Sequence, residues 1–243
     1  MISLQTYDLK TVEWIIIDDS DKEPCDKTVF FEKHPLRALL RRLRYIYLEK
    51  RVTIGHKRNL CKLLAQGDYL VHMDDDDYYH SNYLDLVSFI FGKTNLDVIG
   101  ASEIGVIYPE SPTFFYLGPY GPTRTCGGIM SYRRDYALQN NYNNYKKYGE
   151  EGDFLNGFHT PIFQIPKAYQ YNLVLKHMGN SVDKTLIEKR PSTFLWLDFV
   201  EKDLTIISFY LSLYPIHLQF MRTKRGWEQL REIFRRLLDH IRQ

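Results

Sequence analysis

Residues 67–79 read G-D-Y-L-V-H-M-D-D-D-D-Y-Y, and this stretch decides the fold. Asp68 to Met73 is a short, largely apolar run of strand length. It passes without a break into Asp74, Asp75, Asp76 and Asp77. In an open α/β sheet ligands bind outside the carboxyl ends of the strands, so an acidic strand end marks a site. Adjacent carboxylates disfavour one another's ionisation. A divalent cation relieves that repulsion, and carboxylate, phosphate and water oxygens make a hard site suited to Mg²⁺ or Mn²⁺. The competing reading is a solvated acidic loop.

Working upstream, Val12 to Ile17 (V-E-W-I-I-I) is a second strand of the same style, stopped by Asp18-Asp19-Ser20. Two acidic strand ends in one sheet point to one shared site. Between them, Pro35 to Arg42 has helical spacing and Tyr45 to Leu48 is a further strand. After a break at Gly55, His56 to Gln66 is expected to be a helix with Leu60, Leu63 and Leu64 on one face. Downstream, Ser81 is expected to cap a helix running to about Phe91, and Asp97 to Ala101 is another strand. Strand and helix alternate over the first hundred residues, which predicts a Rossmann-like α/β fold with a mostly parallel sheet flanked by helices.

Ile104 to Met130 holds short aromatic runs broken by prolines and glycines, as expected of strands and loops at a substrate-bearing edge. Glu150 to Gly157 reads as a short helix and Tyr169 to Lys176 as a strand. The 243 residues carry a net charge of +2, which leaves no global basic field for nucleic acid. Cys25, Cys61 and Cys126 are widely spaced and odd in number, which excludes a disulfide framework and a zinc knuckle and fits a reducing compartment. No signal peptide or spanning segment is visible, so the expected location is cytoplasmic, or peripheral to a membrane.

Five stretches, in order, resemble family-2 glycosyltransferases of the GT-A fold: E-W-I-I-I-D-D-S at 13–20, I-G-H-K-R-N at 54–59, the 67–79 stretch, C-G-G-I-M-S-Y-R-R at 126–134 and G-E-E-G-D-F-L at 149–155. The resemblance covers roughly residues 5 to 180 and implies a role for each motif. Asp18 and Asp19 end the strand that meets the donor base, usually uracil, with Asp19 pairing to it. Lys57 and Arg58 stand near the nucleotide. Asp74-x-Asp76 matches the D-x-D metal motif, with Asp76 the more direct ligand and Asp75 close to the ribose. Gly127 and Gly128 let the backbone approach the donor sugar. Glu150-Glu151 matches the acidic pair that supplies the general base, with Glu151 the first choice and Glu150 the second; the plainer reading places both as favourable charges at a helix start. His177 matches a histidine that reaches the metal or diphosphate. Two departures stand out. The family's opening strand and P-T-Y-N loop are not found, the chain opening at I-S-L-Q-T-Y, and the usual Asp-Gly-Ser is Asp19-Ser20-Asp21.

The implied function is inverting transfer of a sugar from a nucleotide sugar, a UDP-sugar in the first instance, to an acceptor hydroxyl on a glycan, protein or lipid-linked molecule, with Mn²⁺ or Mg²⁺. Two alternatives remain: a non-catalytic sugar-nucleotide-binding relative, and a sugar-phosphate nucleotidyltransferase, for which no Gly-rich phosphate loop is found near the N-terminus. The expected organisation is a GT-A domain over 1–190 and a helical extension over 191–243. In the extension, Trp227, Leu230, Ile233, Phe234, Leu237, Leu238 and Ile241 recur at helical spacing among arginines. Such a helix packs on its own domain, on a second copy in a homo-oligomer, or at a membrane surface.

Overall fold

The structure is a computed structural model that describes residues 2–20, 33, 35–108, 113–146, 149–176 and 189–195. His177, Asp21, Cys25 and the expected helices beyond residue 195 lie outside the described residues. In chain order the elements are β1 (Glu13–Asp18), α1 (Leu36–Leu39), β2 (Arg42–Tyr47), α2 (Ile54–Leu64), β3 (Tyr69–Val71), β4 (Tyr78–Tyr79), α3 (Tyr83–Lys93), β5 (Val98–Gly100), β6 (Ile104–Ile107), β7 (Thr113–Leu117), β8 (Ser131–Arg133), α4 (Arg134–Gln139), α5 (Glu151–Phe154), β9 (Ile162–Gln164), β10 (Asn172–Leu175) and β11 (Lys189–Leu195). They fall into two compact units, the first made of Met1–Asp74, Ser81–Ser102 and Tyr120–Pro166, the second of Asp75–His80, Glu103–Pro119 and Lys167–Gln243.

In the first unit β1 pairs with β2 in parallel, and a four-stranded sheet runs in the order β3-β8-β5-β9. There β5 and β9 are parallel, while β8 is antiparallel to both its neighbours. The class is the expected α/β; among the described residues β1 and β2 are parallel, while the four- and five-stranded sheets are mixed and not mostly parallel. The core gathers Leu70, Val98, Met130, Tyr132, Ala137, Tyr142, Phe154, Leu155 and Ile162. Tyr142 and Phe154 stack face to face with centroids 4.2 Å apart. The second unit holds the sheet β11-β7-β6-β10-β4. There the boundary expected near residue 190 falls inside β11, which pairs antiparallel with β7.

Local chemistry explains where the elements depart from expectation. Helix α2 starts two residues early because the Thr53 hydroxyl accepts the His56 amide at 3.2 Å, an N-cap that carries Gly55 into the first turn. Its inward face is not leucine. Gly55, Arg58 and Lys62 are buried, while Leu63 is 69% exposed. The Lys62 ammonium donates to the carbonyls of Ala137 (2.7 Å) and Asn140 and to Asn141 Oδ1 at 2.8 Å, so a buried cation replaces apolar packing. Helix α3 is capped from outside: Asn82 makes no side-chain cap bond, and the Leu84 amide donates to Gln5 Oε1 at 3.1 Å. Ser81, the expected cap, accepts the Thr6 amide at its carbonyl instead.

Candidate active site

The first unit carries its candidate side chains at the ends of β1 and β3, on α2 and at the start of α5. At the end of β1 the two aspartates do different work. Asp18 accepts the Tyr45 hydroxyl at 2.7 Å and the Ser20 amide at 2.8 Å, which pins the turn. Asp19 accepts the Val52 amide at 3.0 Å and the Lys57 ammonium at 2.9 Å. Burial alone would raise the Asp19 pKa, but the hydrogen bonds and charge of Lys57, with the Val52 amide, hold it below the usual carboxylate value. Asp19 is therefore a fixed anion with an ordered cation beside it.

One residue further along α2 lies Arg58. Its guanidinium is buried and donates to Glu150 Oε1, with Glu151 Oε1 at 3.9 Å from the same nitrogen. It also lies 5.6 Å from the Tyr142 ring centroid. Burial would lower the Arg58 pKa, but Tyr142, Asp74, Glu150 and Glu151 raise it instead, so the cation is permanent. The structure thus separates the two glutamates. Glu150 is 3% exposed and committed to Arg58. The Glu151 side chain is 18% exposed and stands beyond hydrogen-bond length from Arg58. Burial, then the charges of Glu150 and Asp74, push its pKa up against the opposing pull of Arg58.

Gly127 fits against this group in an unexpected way. A Cβ there would stand 2.6 Å from Arg58 Nη1 and 2.8 Å from Cζ, so the missing side chain makes room for the guanidinium. Gly127 and Gly128 open a 3₁₀ turn, Gly127–Ile129. The Gly127 carbonyl meets His72 Nδ1 at 2.8 Å, and His72 Nε2 meets the Tyr132 hydroxyl at 2.9 Å. Since a carbonyl can only accept, the imidazole carries its proton on Nδ1 and takes the Tyr132 proton at Nε2. Desolvation and the Arg58 charge drive the His72 pKa down to about 3, so the ring stays neutral. His72 is a residue that sequence reasoning missed; its only signal was a polar residue among the apolar ones that precede Asp74.

The four aspartates diverge. Asp74, in the first unit, acts electrostatically on Arg58 and Glu151. In the second unit Asp75 is exposed and Asp76 half-buried, while Asp77 is buried and accepts the Leu175 amide at 3.1 Å, a structural role. Among the described residues no three His, Cys, Asp or Glu side chains converge into a cage that could hold a metal ion. The carboxylates of Asp74, Glu150 and Glu151 all act on Arg58, and their hard oxygens are of the type that holds a divalent ion.

A family model described as glycosyl transferase family 2 matches residues 3–154, well over half of the chain. No curated protein matches the chain significantly. Among solved structures, TarS 1–349 of S. aureus in complex with UDP-GlcNAc is similar with a TM-score of 0.56 at 18% identity, over 74% of this chain and 54% of that one. The mannosyltransferase PcManGT from Pyrobaculum calidifontis, in complex with GDP-Man and Mn²⁺, gives 0.52 at 13% identity, over 76% and 52%. GalNAc-T7 with UDP, GalNAc and Mn²⁺ gives 0.52 at 13% identity, over 70% and 38%. The chain spans about half the length of the first two.

Proposed function

The chain belongs to glycosyl transferase family 2 and has the GT-A fold, and from that premise we propose that it moves a sugar from a nucleotide-sugar donor, a UDP-sugar, to an acceptor hydroxyl with inversion. The observation that carries this reading is the unequal glutamate pair. Glu150 is consumed by Arg58, whereas Glu151, 3.9 Å from the same guanidinium nitrogen, keeps a carboxylate of raised basicity. Such a carboxylate serves as general base. It takes the acceptor O–H proton as that oxygen bonds to the anomeric carbon. The anomeric C–O bond to phosphate breaks, and its electron pair leaves with the nucleoside diphosphate.

Asp19, held as an anion by Lys57 and Val52, accepts an N–H of the donor base. Asp75 meets the ribose, and the 3₁₀ turn at Gly127 and Gly128 borders the sugar. Asp74 and Asp76 are the residues that would hold Mn²⁺ or Mg²⁺, with His177 as a third. Their hard oxygens suit either ion. When bound, the ion supplies neutralisation of the departing diphosphate. The UDP-GlcNAc complex of TarS supports a UDP-sugar as the first donor to try, and the Mn²⁺ in two other neighbours, one of them with GDP-Man, supports trying that metal.

Calorimetric titration of UDP-sugars, with Mn²⁺ and with EDTA, tests the reading. The expected outcome is binding of one donor that EDTA abolishes and that Asp76→Asn weakens at least about tenfold, the scale of a lost charge-assisted contact. Glu151→Gln keeps donor binding and loses transfer. Donor binding with no turnover by the native protein would favour the non-catalytic relative.

A further inference from the structure

The family reading leaves Arg58 among the donor-binding residues, yet its surroundings assign it elsewhere. The guanidinium is buried, with its side chain only 10% exposed. Glu150 takes its hydrogen bond, the guanidinium lies in the space a side chain on Gly127 would need, and the Tyr142 ring lies 5.6 Å away. Helix α2 also closes on the glutamate turn one helical turn earlier. A Cβ on Gly55 would stand 3.1 Å from the Asn143 carbonyl carbon and 3.4 Å from Glu150 Cβ. Glu150 and Glu151 are thus held from α2 through a glycine contact and a buried ion pair. A guanidinium is a rigid planar fork, so it fixes the direction of what it binds better than an ammonium does. At 3.9 Å it attracts Glu151 without taking that carboxylate's lone pairs.

We propose that Arg58, with Glu150 as its counter-ion, is the positioning residue that holds Glu151 in place as the base, and not a ligand of the donor. The proposal rests on the functional reading above. It gives Glu150 a reason to be acidic that is independent of proton transfer. It also makes Gly127 a clearance for Arg58, since any side chain there displaces the fork.

The test uses the full chain with Mn²⁺ and UDP-glucose, UDP-galactose and UDP-GlcNAc, reading donor Kd by calorimetry and donor hydrolysis by release of UDP. Arg58→Met alone strands Glu150 as a buried unpaired charge and is prone to unfold. The charge-neutral double variant Arg58→Met with Glu150→Gln avoids this. Its expected behaviour is a Kd within about twofold of native and a kcat for hydrolysis about 100-fold lower, the cost of a base displaced by about 1 Å. Amide exchange across residues 149–155 accelerates in the same variant. Arg58→Lys recovers part of the loss, and Gly127→Ala reproduces part of it. Native kcat in the double variant, or a Kd that rises while kcat holds, overturns the proposal. Glu151→Gln separates the two ideas. If it hydrolyses donor at the native rate, the base assignment falls and the positioning role falls with it; if it is inactive while the double variant is not, only the positioning role falls.

Discussion

His72 shows how a single side chain joins stability to the site. Its ring is half-buried with both nitrogens hydrogen-bonded and a pKa near 3, against about 6.5 in the unfolded chain. As the pH falls below 6.5 the unfolded chain gains a proton that the folded chain refuses. Stability therefore drops on acidification, by at most about 1.4 kcal/mol per pH unit from this group. Urea unfolding at pH 6.5 and pH 5 should show His72→Asn losing less stability than the native protein, by more than about 1 kcal/mol. Glu151 has the opposite sign. Its folded pKa is raised above 4.5, so the folded chain holds the extra proton and stability falls as pH rises through that raised value. Glu151→Gln is accordingly expected to melt higher than native at pH 7.5, with the difference vanishing near pH 4.

The loop from Asn140 to Asn144 is fastened to α2 by side chains of that helix and its cap. Asn59 Nδ2 donates to the Tyr142 carbonyl at 2.8 Å, and Asn59 Oδ1 accepts the Tyr142 amide at 3.0 Å. Thr53 donates to the Asn144 carbonyl at 2.7 Å, and Lys62 binds the turn before it. Residues 140–144, rich in asparagine, are therefore held against α2. Lys62→Met should cost about 2–3 kcal/mol in urea unfolding, because it leaves buried carbonyls unpaired. It should also raise amide exchange over residues 140–144. Cys61, on the same helix, is pushed by burial to about 11 and stays an inert thiol at neutral pH. At the other end of the first unit, Gln5→Ala removes the external cap of α3 and should cost about 1 kcal/mol.

For the molecule as a whole, stability of the first unit rests on its aromatic core. Phe154→Ala should destabilise by about 3–5 kcal/mol, since the ring is fully buried and stacks on Tyr142 and packs on Tyr132 and Tyr136. A calorimetric scan that showed less than about 1 kcal/mol would displace Phe154 from the centre of that core. The sequence by itself determined the α/β class, because short apolar β-branched runs such as Val12–Ile17 favour a pleated, half-buried strand, and acidic residues at their ends stay in water or bind charge. It also marked Asp19, Lys57, Asp74 and the glutamate pair as candidates, and the structure sets Lys57 on Asp19 and the charges of Asp74 and the glutamates on Arg58. Tertiary structure alone decided which of them are spent on one another. Arg58 and Glu150 are 92 residues apart, and Gly127 and His72 are 55 apart. Nothing in local spacing shows that the arginine next to Lys57 turns inward, or that a lysine and an arginine, not leucines, form the buried face of α2. Burial and pairing are properties of the packed chain, because a charge enters the interior only where a distant partner meets it.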